Sequence, residues 1–402
     1  MPVGLIRVRR NQTASRAGAE PRSSEGSAAS AFQSSRPTPA QHRCVTVYSC
    51  NAGAYASRHE TQTRIKIAQG IAALKGCDFA ARCDLDAAKI YFVPSDALET
   101  ELAAKLGIGC EDDLFGGVVP YPFVGTKVIT HPLIEPEADA PRGWTDDFGR
   151  RVDGVVLRGF SVFTRKDARR AAACLLERGP LRVKRVRATA GLGQTVVAQI
   201  SQLDAVLDTI EAGELATDGL VLEENLNQVK TYSVGEVRVA DLQAVYVGSQ
   251  RLTSNRHGVS VYGGSDLVVA RDGFAALDKL SLPEAARLAL AQARAYDAAA
   301  QVFSGFFASR RNYDVAQGFD SSGTWRSGVL EQSWRMGGAS SAEIGALQLF
   351  RANPALAAVR ASCFEIYDMI EPPPGATIFY RGTDDRTGPM TKYTLVEPYD
   401  DP

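Results

Sequence analysis

The sequence predicts an α/β protein, in which a small strand-and-helix layer precedes two lobes that combine antiparallel strands with helices (α+β). Strand-like and helical segments alternate in residues 44–150, which is typical of a parallel sheet covered by helices. Antiparallel strands are indicated within residues 181–253, and a hairpin that carries acidic residues is indicated within residues 313–330. Together these observations predict two kinds of sheet in one chain.

The composition is that of an ordinary globular protein. The 402 residues are 45% hydrophobic and 23% charged, and the formal net charge is −1. A neutral chain gives no electrostatic reason to bind nucleic acid or an anionic membrane. No uncharged apolar window reaches the roughly 18 residues that a membrane-spanning helix requires. The seven cysteines form no CxxC pair, so we expect reduced cysteines, no zinc site and a cytoplasmic protein.

Residues 1–43 differ in composition from the rest of the chain. They are rich in Ser, Ala, Pro and Arg and contain almost no large apolar side chains. Such a segment cannot bury enough surface to offset the entropy lost on ordering, so we predict a disordered tail.

The first predicted domain spans residues 44–150. A β-branched strand, CVTVYS (44–49), is followed by a segment whose apolar residues recur at helical spacing. A second strand, KIYFVPS (89–95), precedes another helix, and strand-like sequence follows around Lys127 (122–133). The alternation favours a parallel sheet.

The next predicted unit is a lobe over residues 151–222. Its strand GVVLRGFSVF precedes a helix with Thr164 as its N-cap, and the strand LRVKRVRAT precedes a helix that begins at Ser201. The lobe ends in a strand that turns acidic at VLEENL (221–226).

A second lobe is predicted over residues 223–350. It contains antiparallel strands, a long helix with Ser281 and Glu284 as a capping box, and the acidic hairpin. Residues 351–402 are predicted to form a C-terminal helix and an extension packed on the core.

Lys184 lies in a strand that leads into a glycine-rich loop containing Gly191 and Gly193. Glycine allows close backbone approach, so the N–H groups of such a loop and one lysine can cover a polyphosphate. The alternative interpretation is an ordinary turn beside a surface lysine.

The strand that ends in Glu223 and Glu224 is interpreted as a hinge. Its backbone groups would bind an adenine ring, and Glu224 would accept a hydrogen bond from a ribose hydroxyl. The alternative is a solvated acidic loop.

The acidic hairpin carries Asp314 on one strand and Glu331 on the next, joined by a Gly/Ser-rich turn. A hairpin can place the two carboxylates side by side, which is destabilising unless a cation lies between them. Mg²⁺ bound by one or two carboxylates and by nucleotide phosphates would supply that cation. Solvated hairpin residues are the alternative.

The order and spacing of Lys127, Lys184, the hinge, Asp314 and Glu331 resemble the ATP-grasp superfamily of ATP-dependent ligases. The resemblance covers about residues 120–345 and implies an ATP-grasp fold, in which two α+β lobes grip ATP between antiparallel sheets. The hinge stretch VLEENLNQVKTYSV is most similar to that of D-alanine–D-alanine ligases.

The resemblance implies a role for each group of candidate residues. The nucleotide-binding candidates are Lys127, Lys184, Gly191, Gly193, Glu223, Glu224 and Leu226. The candidates for binding Mg²⁺, with Mn²⁺ as the alternative ion, are Asp314, Glu331 and Ser333. The catalytic candidates are Arg251, Arg256 and Arg335.

Two positions depart from the pattern of the family. Ser333 stands where the family usually has Asn, although Arg335 keeps the cation that often follows. Thr231 stands where the D-alanine–D-alanine ligases carry another ribose-binding acid. A serine hydroxyl can still bind Mg²⁺ directly or through water, so a metal site remains the prediction.

Arg251 and Arg256 lie with His257 in the segment 248–266, which by position in the family faces the transferred phosphate and the second substrate. An arginine fork suits an acyl phosphate or a carboxylate. A basic, solvated hairpin loop is the alternative.

The resulting hypothesis is a ligase that uses ATP and Mg²⁺ to join a small-molecule carboxylate to an amine or another nucleophile. A small-molecule kinase and a non-catalytic nucleotide-binding protein are the alternatives, the latter favoured by Ser333 and Thr231. No nucleic acid or membrane partner is expected, and monomer and homodimer both stay open.

Overall fold

The computed structural model describes residues 42–50, 57–81, 89–188 and 193–399. The predicted tail lies outside this part of the chain except for its last two residues, His42 and Arg43. His42 Nε2 lies 3.2 Å from Asp113 Oδ1, and the Arg43 N–H donates to Lys89 O over 2.9 Å. These two residues of the predicted tail are thus held by contacts with Asp113 and Lys89, and the boundary of the tail stays a prediction.

The first layer contains five short strands and three helices. They are β1 (Cys44–Tyr48), α1 (Arg58–Lys75), β2 (Asp78–Phe79), β3 (Ile90–Pro94), β4 (Leu98–Glu99), α2 (Thr100–Lys105), β5 (Gly117–Val119) and α3 (Asp146–Val152). Strands β2, β1 and β3 form a parallel sheet in that order. The parallel sheet predicted from strand–helix alternation is confirmed.

The segment around Lys127 is not the predicted strand. It forms two short 3-10 turns, Pro122–Gly125 and Lys127–Thr130. Pro122 lacks an N–H for strand pairing, and Thr126 Oγ1 caps the second turn by accepting from Val128 N over 3.4 Å.

Lobe 1 is a four-stranded antiparallel sheet with helices on one face. Its elements are β6 (Gly159–Val162), α4 (Arg165–Leu176), β7 (Leu181–Arg185), β8 (Gln194–Val197), α5 (Ile200–Leu207), α6 (Ala212–Asp218) and β9 (Leu220–Glu224). The strand order is β6–β9–β7–β8. The predicted cap of α4 is confirmed, since Thr164 Oγ1 accepts from Asp167 N over 3.1 Å. Helix α5 begins at Ile200, one residue before the predicted Ser201.

Lobe 2 is an eight-stranded antiparallel sheet with helices on both faces. The elements of this part of the chain are β10 (Asn227–Val239), β11 (Leu242–Ser254), β12 (Ser260–Arg271), α7 (Phe274–Leu277), α8 (Glu284–Ala300), β13 (Phe307–Ala308), β14 (Arg310–Phe319), β15 (Trp325–Ser333), α9 (Ser340–Ala352), β16 (Ala358–Ile366), β17 (Thr377–Asp384) and β18 (Gly388–Pro398). The order in the large sheet is β15–β14–β10–β11–β12–β16–β18–β17. Strand β13 instead pairs with β5, which links lobe 2 to the first layer.

Two predictions about lobe 2 and its extension are wrong. Residues 358–398 form strands β16, β17 and β18 and not a C-terminal helix, because their side chains alternate across the sheet and β16 pairs with β12. Helix α8 begins at Glu284 with Pro283 as its N-cap and without a capping side-chain hydrogen bond. The predicted helix start at Ser281 is therefore wrong by two residues.

The cysteines are not all reduced. Cys44 is disulfide-bonded, which contradicts the expectation of reduced cysteines at this position. Among the described residues, five cysteines are free: Cys50, Cys77, Cys110, Cys174 and Cys363. No helix in the described part of the chain is long and apolar enough to cross a membrane.

The first layer packs against the end of the chain. Helix α1 contacts α9 and β17, and Gly70 permits a close approach, since a Cβ there would lie 2.7 Å from Ile344 Cγ2. The described residues, between 42 and 399, form one compact unit. The domain boundaries at residues 150 and 222 stay predictions.

We expect deletion of residues 1–40 to leave the melting temperature unchanged, because their composition offers almost no apolar surface to bury. Deletion of residues 1–43 should lower it, since His42 and its contact with Asp113 are then lost. Thermal unfolding of both truncations checks this. If the protein without residues 1–40 aggregates, the tail contributes to the fold.

Candidate functional site

Asp314 and Glu331 lie opposite each other on the paired strands β14 and β15, and Asn312 lies opposite Ser333. These side chains share one face of the large sheet because strand residues alternate between faces. The side-by-side arrangement of the two carboxylates, predicted from the hairpin, is confirmed.

A β-bulge sets the direction of these side chains. The register shifts between Asp314 and Val315, so that Leu330 is an extra residue on β15. The shift places Val329 in the apolar core and leaves Glu331 beside Asp314. Gln332 points to the other face, where its Nε2 donates to Val124 O over 3.0 Å.

Neutral polar groups surround Asp314. Asn312 Nδ2 donates to Asp314 Oδ1 over 3.0 Å, and Ser233 Oγ donates to the same oxygen over 3.4 Å. Burial raises the pKa of the Asp314 carboxyl, and the charge of Glu331 raises it further. Ionising Asp314 therefore costs free energy unless a cation lies close by.

Glu331 has a different electrostatic environment. Lys127 Nζ lies 2.9 Å from Glu331 Oε2. Burial acts to raise the pKa of Glu331, but Lys127, and less strongly Lys184 and Arg335, outweigh it, and the pKa is lowered. In this site Glu331, which ionises readily, therefore lies beside Asp314, which resists ionisation.

The donor set fits Mg²⁺. Within the described residues, no group of three or more His, Cys, Asp or Glu side chains could enclose a metal ion. Mg²⁺ usually binds to one or two carboxylates and keeps its other positions for water and phosphate oxygens. Asp314 and Glu331 supply such an open pair, and Mn²⁺ accepts the same oxygen ligands.

Lys127 connects this carboxylate pair to lobe 1. The lysine is 6% exposed, and its Nζ donates to Ala188 O over 3.0 Å as well as to Glu331. Ala188 directly precedes the glycine-rich segment, of which Gly191 lies outside the described residues. Gly193 has a φ of 65°, which explains why glycine stands there.

Lys184 and Glu223 form a buried ion pair on the face of lobe 1 that carries no helices. They are 3% and 2% exposed, and Lys184 Nζ contacts Glu223 Oε1. His131 Nε2 lies 3.2 Å from the other carboxylate oxygen, Glu223 Oε2. Burial acts to raise the pKa of Glu223, but Lys184 and His131 outweigh it and lower the pKa to about 2.

This shift predicts a loss of stability in acid. The folded pKa of Glu223 is depressed, so its contribution is present above the unfolded pKa and is lost as pH falls from about 4.5 towards 2. The loss should amount to roughly 3 kcal/mol. Urea unfolding at several pH values in this range gives the free energy of unfolding of wild type and of Glu223→Gln. The contribution of Glu223 is the difference between the two curves of unfolding free energy against pH. Lys184→Met should weaken the same dependence, and parallel curves for wild type and Glu223→Gln would refute the assignment.

Glu224 points to the opposite face of strand β9. Leu220 and Leu222, which alternate with Glu223, belong to the core under the lobe 1 helices, and Glu224 shares their face. Its carboxylate accepts from Arg158 N over 3.0 Å and from Arg158 Nη2 over 3.1 Å. The structure therefore brings Glu223, and not Glu224, together with Lys184.

Leu226 belongs to a small apolar cluster beside the carboxylate pair. It packs with Leu157 and Ala316, and the bulged Leu330 lies partly buried against them. Ala316 follows Asp314 by two residues on the same face of β14. This cluster, called the apolar platform below, adjoins the metal candidates.

Ser333 is held by a buried arginine. Arg310 Nη1 donates to Ser333 O over 2.9 Å and to Ser333 Oγ over 3.3 Å. Arg310 in turn pairs with Glu343, whose Oε1 lies 2.7 Å from Arg310 Nη2. Because a guanidinium already contacts the Ser333 hydroxyl, Ser333 is a weaker metal candidate than Asp314 or Glu331.

The three predicted catalytic arginines lie in different places. Arg335 follows the carboxylate strand, and its Nε is 3.6 Å from Asp96 Oδ1. Arg251 pairs with Asp266 and stacks on Phe364, with its Cζ 4.1 Å from the ring centre. Arg256 is exposed in the β11–β12 turn, where its Nε contacts His257 Nε2 at 3.0 Å. The structure brings only Arg335 close to Glu331.

Four groups of the site were missed from sequence: His131, Ser233, Arg310 and Asn312. Ser233 pairs with Asp314 across β10 and β14, a register that the sequence alone does not specify. Asn312 could have been found, because it precedes Asp314 by two residues and so shares its face.

A family model described as "Protein of unknown function (DUF3182)" matches residues 47–394, a range that contains every site residue described above. No curated protein matches the chain. Among solved structures, the chain is similar to a biotin carboxylase–beta-gamma-ATP complex from Campylobacter jejuni, with 10% identity and a TM-score of 0.45 over 89% of this chain and 88% of that one.

Two further solved structures are similar to the chain. One is D-alanyl-alanine synthetase A from Vibrio cholerae O1, with 11% identity and a TM-score of 0.44 over 73% of this chain and 89% of that one. The other is phosphoribosylamine–glycine ligase from Thermotoga maritima, with 13% identity and a TM-score of 0.44 over 89% and 92%.

Proposed function

We propose that this chain, which belongs to the DUF3182 protein family, is an ATP- and Mg²⁺-dependent ligase on an ATP-grasp fold. It would activate a small-molecule carboxylate as an acyl phosphate and join it to an amine or another nucleophile. Neither nucleic acid nor a membrane would be a partner.

The observation that carries the proposal is the meeting of paired carboxylates with lysines from two other segments. Asp314 and Glu331 lie side by side, Lys127 contacts Glu331, and Lys184 lies close enough to lower the pKa of Glu331. Cations and a carboxylate pair together suit a triphosphate with its metal ion, since lysines neutralise phosphate oxygens while carboxylates hold the metal.

The apolar platform supports a nucleotide over a simple phosphate. A purine ring needs an apolar surface on its face and polar backbone groups at its edge. Leu330, partly exposed above the buried Leu226, offers such a surface, and the strand that ends at Glu224 leads directly into Leu226. Adenine on this platform would place its phosphates towards Asp314 and Lys127.

Asp314 and Glu331 are the residues that would hold Mg²⁺. When bound, the ion neutralises charge on the phosphates and on the transferred group. Lys127 and Lys184 would position the phosphates, and Arg335 would bind the anionic carboxylate or acyl phosphate. Catalysis would then depend on positioning and charge stabilisation, so no protein nucleophile is required.

A non-catalytic nucleotide-binding protein is the second candidate. The contact between Arg310 and the Ser333 hydroxyl favours it, because this position is then poorly suited to a second metal ion. ADP release in the presence of pooled carboxylates and amines distinguishes the candidates. Release that depends on a carboxylate alone would indicate a kinase.

We expect MgATP to raise the melting temperature, because a ligand that binds only the native state stabilises it by RT ln(1 + [L]/Kd). At about 100 times Kd this is roughly 2.7 kcal/mol. Lys184→Met should lose most of the shift. Lys279→Met, at an exposed lysine of lobe 2, should keep it. No shift with millimolar MgATP would exclude nucleotide binding.

A further inference from the structure

A cavity of about 280 Å³ lies on the far side of strand β9 from the Lys184–Glu223 pair. Lobe 1 and the hinge contribute Arg158, Arg178 and Glu224 to its wall, and the β14–β15 hairpin contributes Asp320, Ser322 and Arg326. The cavity is therefore bounded by both lobes. It is separate from the nucleotide site, because Glu223 and Glu224 point to opposite faces of β9.

The cavity wall carries more positive than negative charge. Arg158 Nη2 pairs with Glu224 Oε2 at 3.1 Å, and Arg326 Nε pairs with Asp320 Oδ2 at 2.9 Å. Asp320 Oδ1 is already used, since it accepts from Ser322 N over 2.9 Å and from Thr324 N over 3.0 Å. The Arg178 side chain is exposed. Its guanidinium has no ion-pair partner within the described residues, so its charge is not balanced by a carboxylate.

Three guanidiniums and two carboxylates therefore line one cavity, and its wall carries a net positive charge that suits an anion.

We propose that this cavity binds a small anion with phosphate or carboxylate groups, and that the anion acts as an effector of the nucleotide site. Guanidinium groups bind phosphate and carboxylate groups through paired, charge-assisted hydrogen bonds. The cavity volume lies at the lower end of ligand pockets, which favours a small anion over a nucleotide.

The effect on the nucleotide site follows from contacts between the lobes. Ser321 Oγ donates to Arg178 O over 2.6 Å, and Gly179 packs so closely that a Cβ there would lie 2.1 Å from Ser321 Oγ. An anion that touches both sides of this contact favours one relative position of the lobes. By linkage, MgATP and the anion then change each other's affinity by the same factor. This coupling rests on the proposed function, whereas the anion site does not.

Thermal unfolding in inorganic phosphate tests the site, with citrate as the carboxylate probe and NaCl at matched ionic strength. Wild type should be stabilised in a saturable manner. Arg178→Ala and Arg326→Gln should bind about tenfold more weakly, since each removes one charge-assisted contact. Arg360→Ala, which removes an exposed guanidinium 3.7 Å from Glu397 in the C-terminal strands, is the matched control and should behave as wild type.

Phosphate also stabilises proteins without binding to a site, and it could enter the nucleotide site. Equal stabilisation of all variants, or none in wild type, would overturn the proposal. So would loss of the effect in Lys184→Met, since phosphate would then bind in the nucleotide site. A shift with phosphate but none with MgATP would keep the anion site and refute the proposed function. Equal affinity for MgATP with and without phosphate would overturn the effector role.

Discussion

Asp314→Asn and Glu331→Gln should each reduce ATP turnover by orders of magnitude, because each removes one of the two carboxylates that would hold Mg²⁺. Stability should respond differently in the two variants. Asp314→Asn removes a carboxyl whose pKa burial and Glu331 raise, so the protein should be unchanged or more stable. Glu331→Gln removes the ion-pair partner of the buried Lys127, so it should be less stable by about 1–3 kcal/mol.

Metabolite-dependent ADP release and urea unfolding measure the two effects separately. Asp241→Asn is a suitable control, since Asp241 lies at the exposed β10–β11 turn and pairs only with Arg351 among the described residues. It should leave ATP turnover unchanged, and it should change the free energy of unfolding by no more than about 0.5 kcal/mol. If Asp314→Asn and Glu331→Gln keep wild-type turnover, the carboxylate pair does not bind the catalytic metal.

Removal of either partner of the Arg310–Glu343 pair should destabilise the protein by about 3–5 kcal/mol. The side chains are 1% and 0% exposed, so the remaining charge would stay buried without a counter-ion. Tyr246 OH also donates to Glu343 Oε1 over 2.6 Å. Glu343 outweighs burial and raises the pKa of Arg310, so the guanidinium is charged in the wild-type pair.

Urea unfolding of Arg310→Met, Glu343→Gln and the double variant Arg310→Met/Glu343→Leu measures this. The double variant should recover part of the loss, because two apolar side chains of similar size leave no unpaired charge. Arg310→Met should also impair turnover more than its stability explains, since Arg310 Nη1 holds Arg335 O at 2.6 Å. Single variants within about 1 kcal/mol of wild type would show that this pair contributes little.

The site features predicted from sequence are those that depend on local pattern. Asp314 and Glu331 could be paired because a hairpin with a short polar turn fixes its own register. The Thr164 cap could be predicted because capping involves only neighbouring residues.

The features missed depend on contacts distant in sequence. Two adjacent acids, Glu223 and Glu224, must point to opposite faces of a strand, but only the packing of the lobe 1 helices decides which one faces Lys184. Glu223, the buried partner of Lys184, also causes the expected loss of stability in acid. No local sequence pattern indicates this pairing. Strands β14 and β15 and the start of α9 separate Arg310 from Glu343 in the sequence, so their pairing is visible only in three dimensions.

The C-terminal strands were mistaken for a helix for a related reason. Residues 358–366, AVRASCFEI, contain apolar residues that fit either period over so short a run. Pairing of β16 with β12 decides in favour of the strand. Tertiary contacts override local preference here.

The packing of α1 against α9 and β17 has a consequence for the synthesis of the protein. Helix α1 leaves the ribosome early in translation. The elements that cover it, α9 and β17, are synthesised only after more than two hundred further residues. Until then, the part of the α1 surface that α9 and β17 cover lacks its partners, a state that favours association with chaperones. Fragments that end before residue 340 would keep this surface open, so every experiment above requires a chain that includes α9 and the C-terminal strands. Contacts so distant in sequence also predict slow refolding.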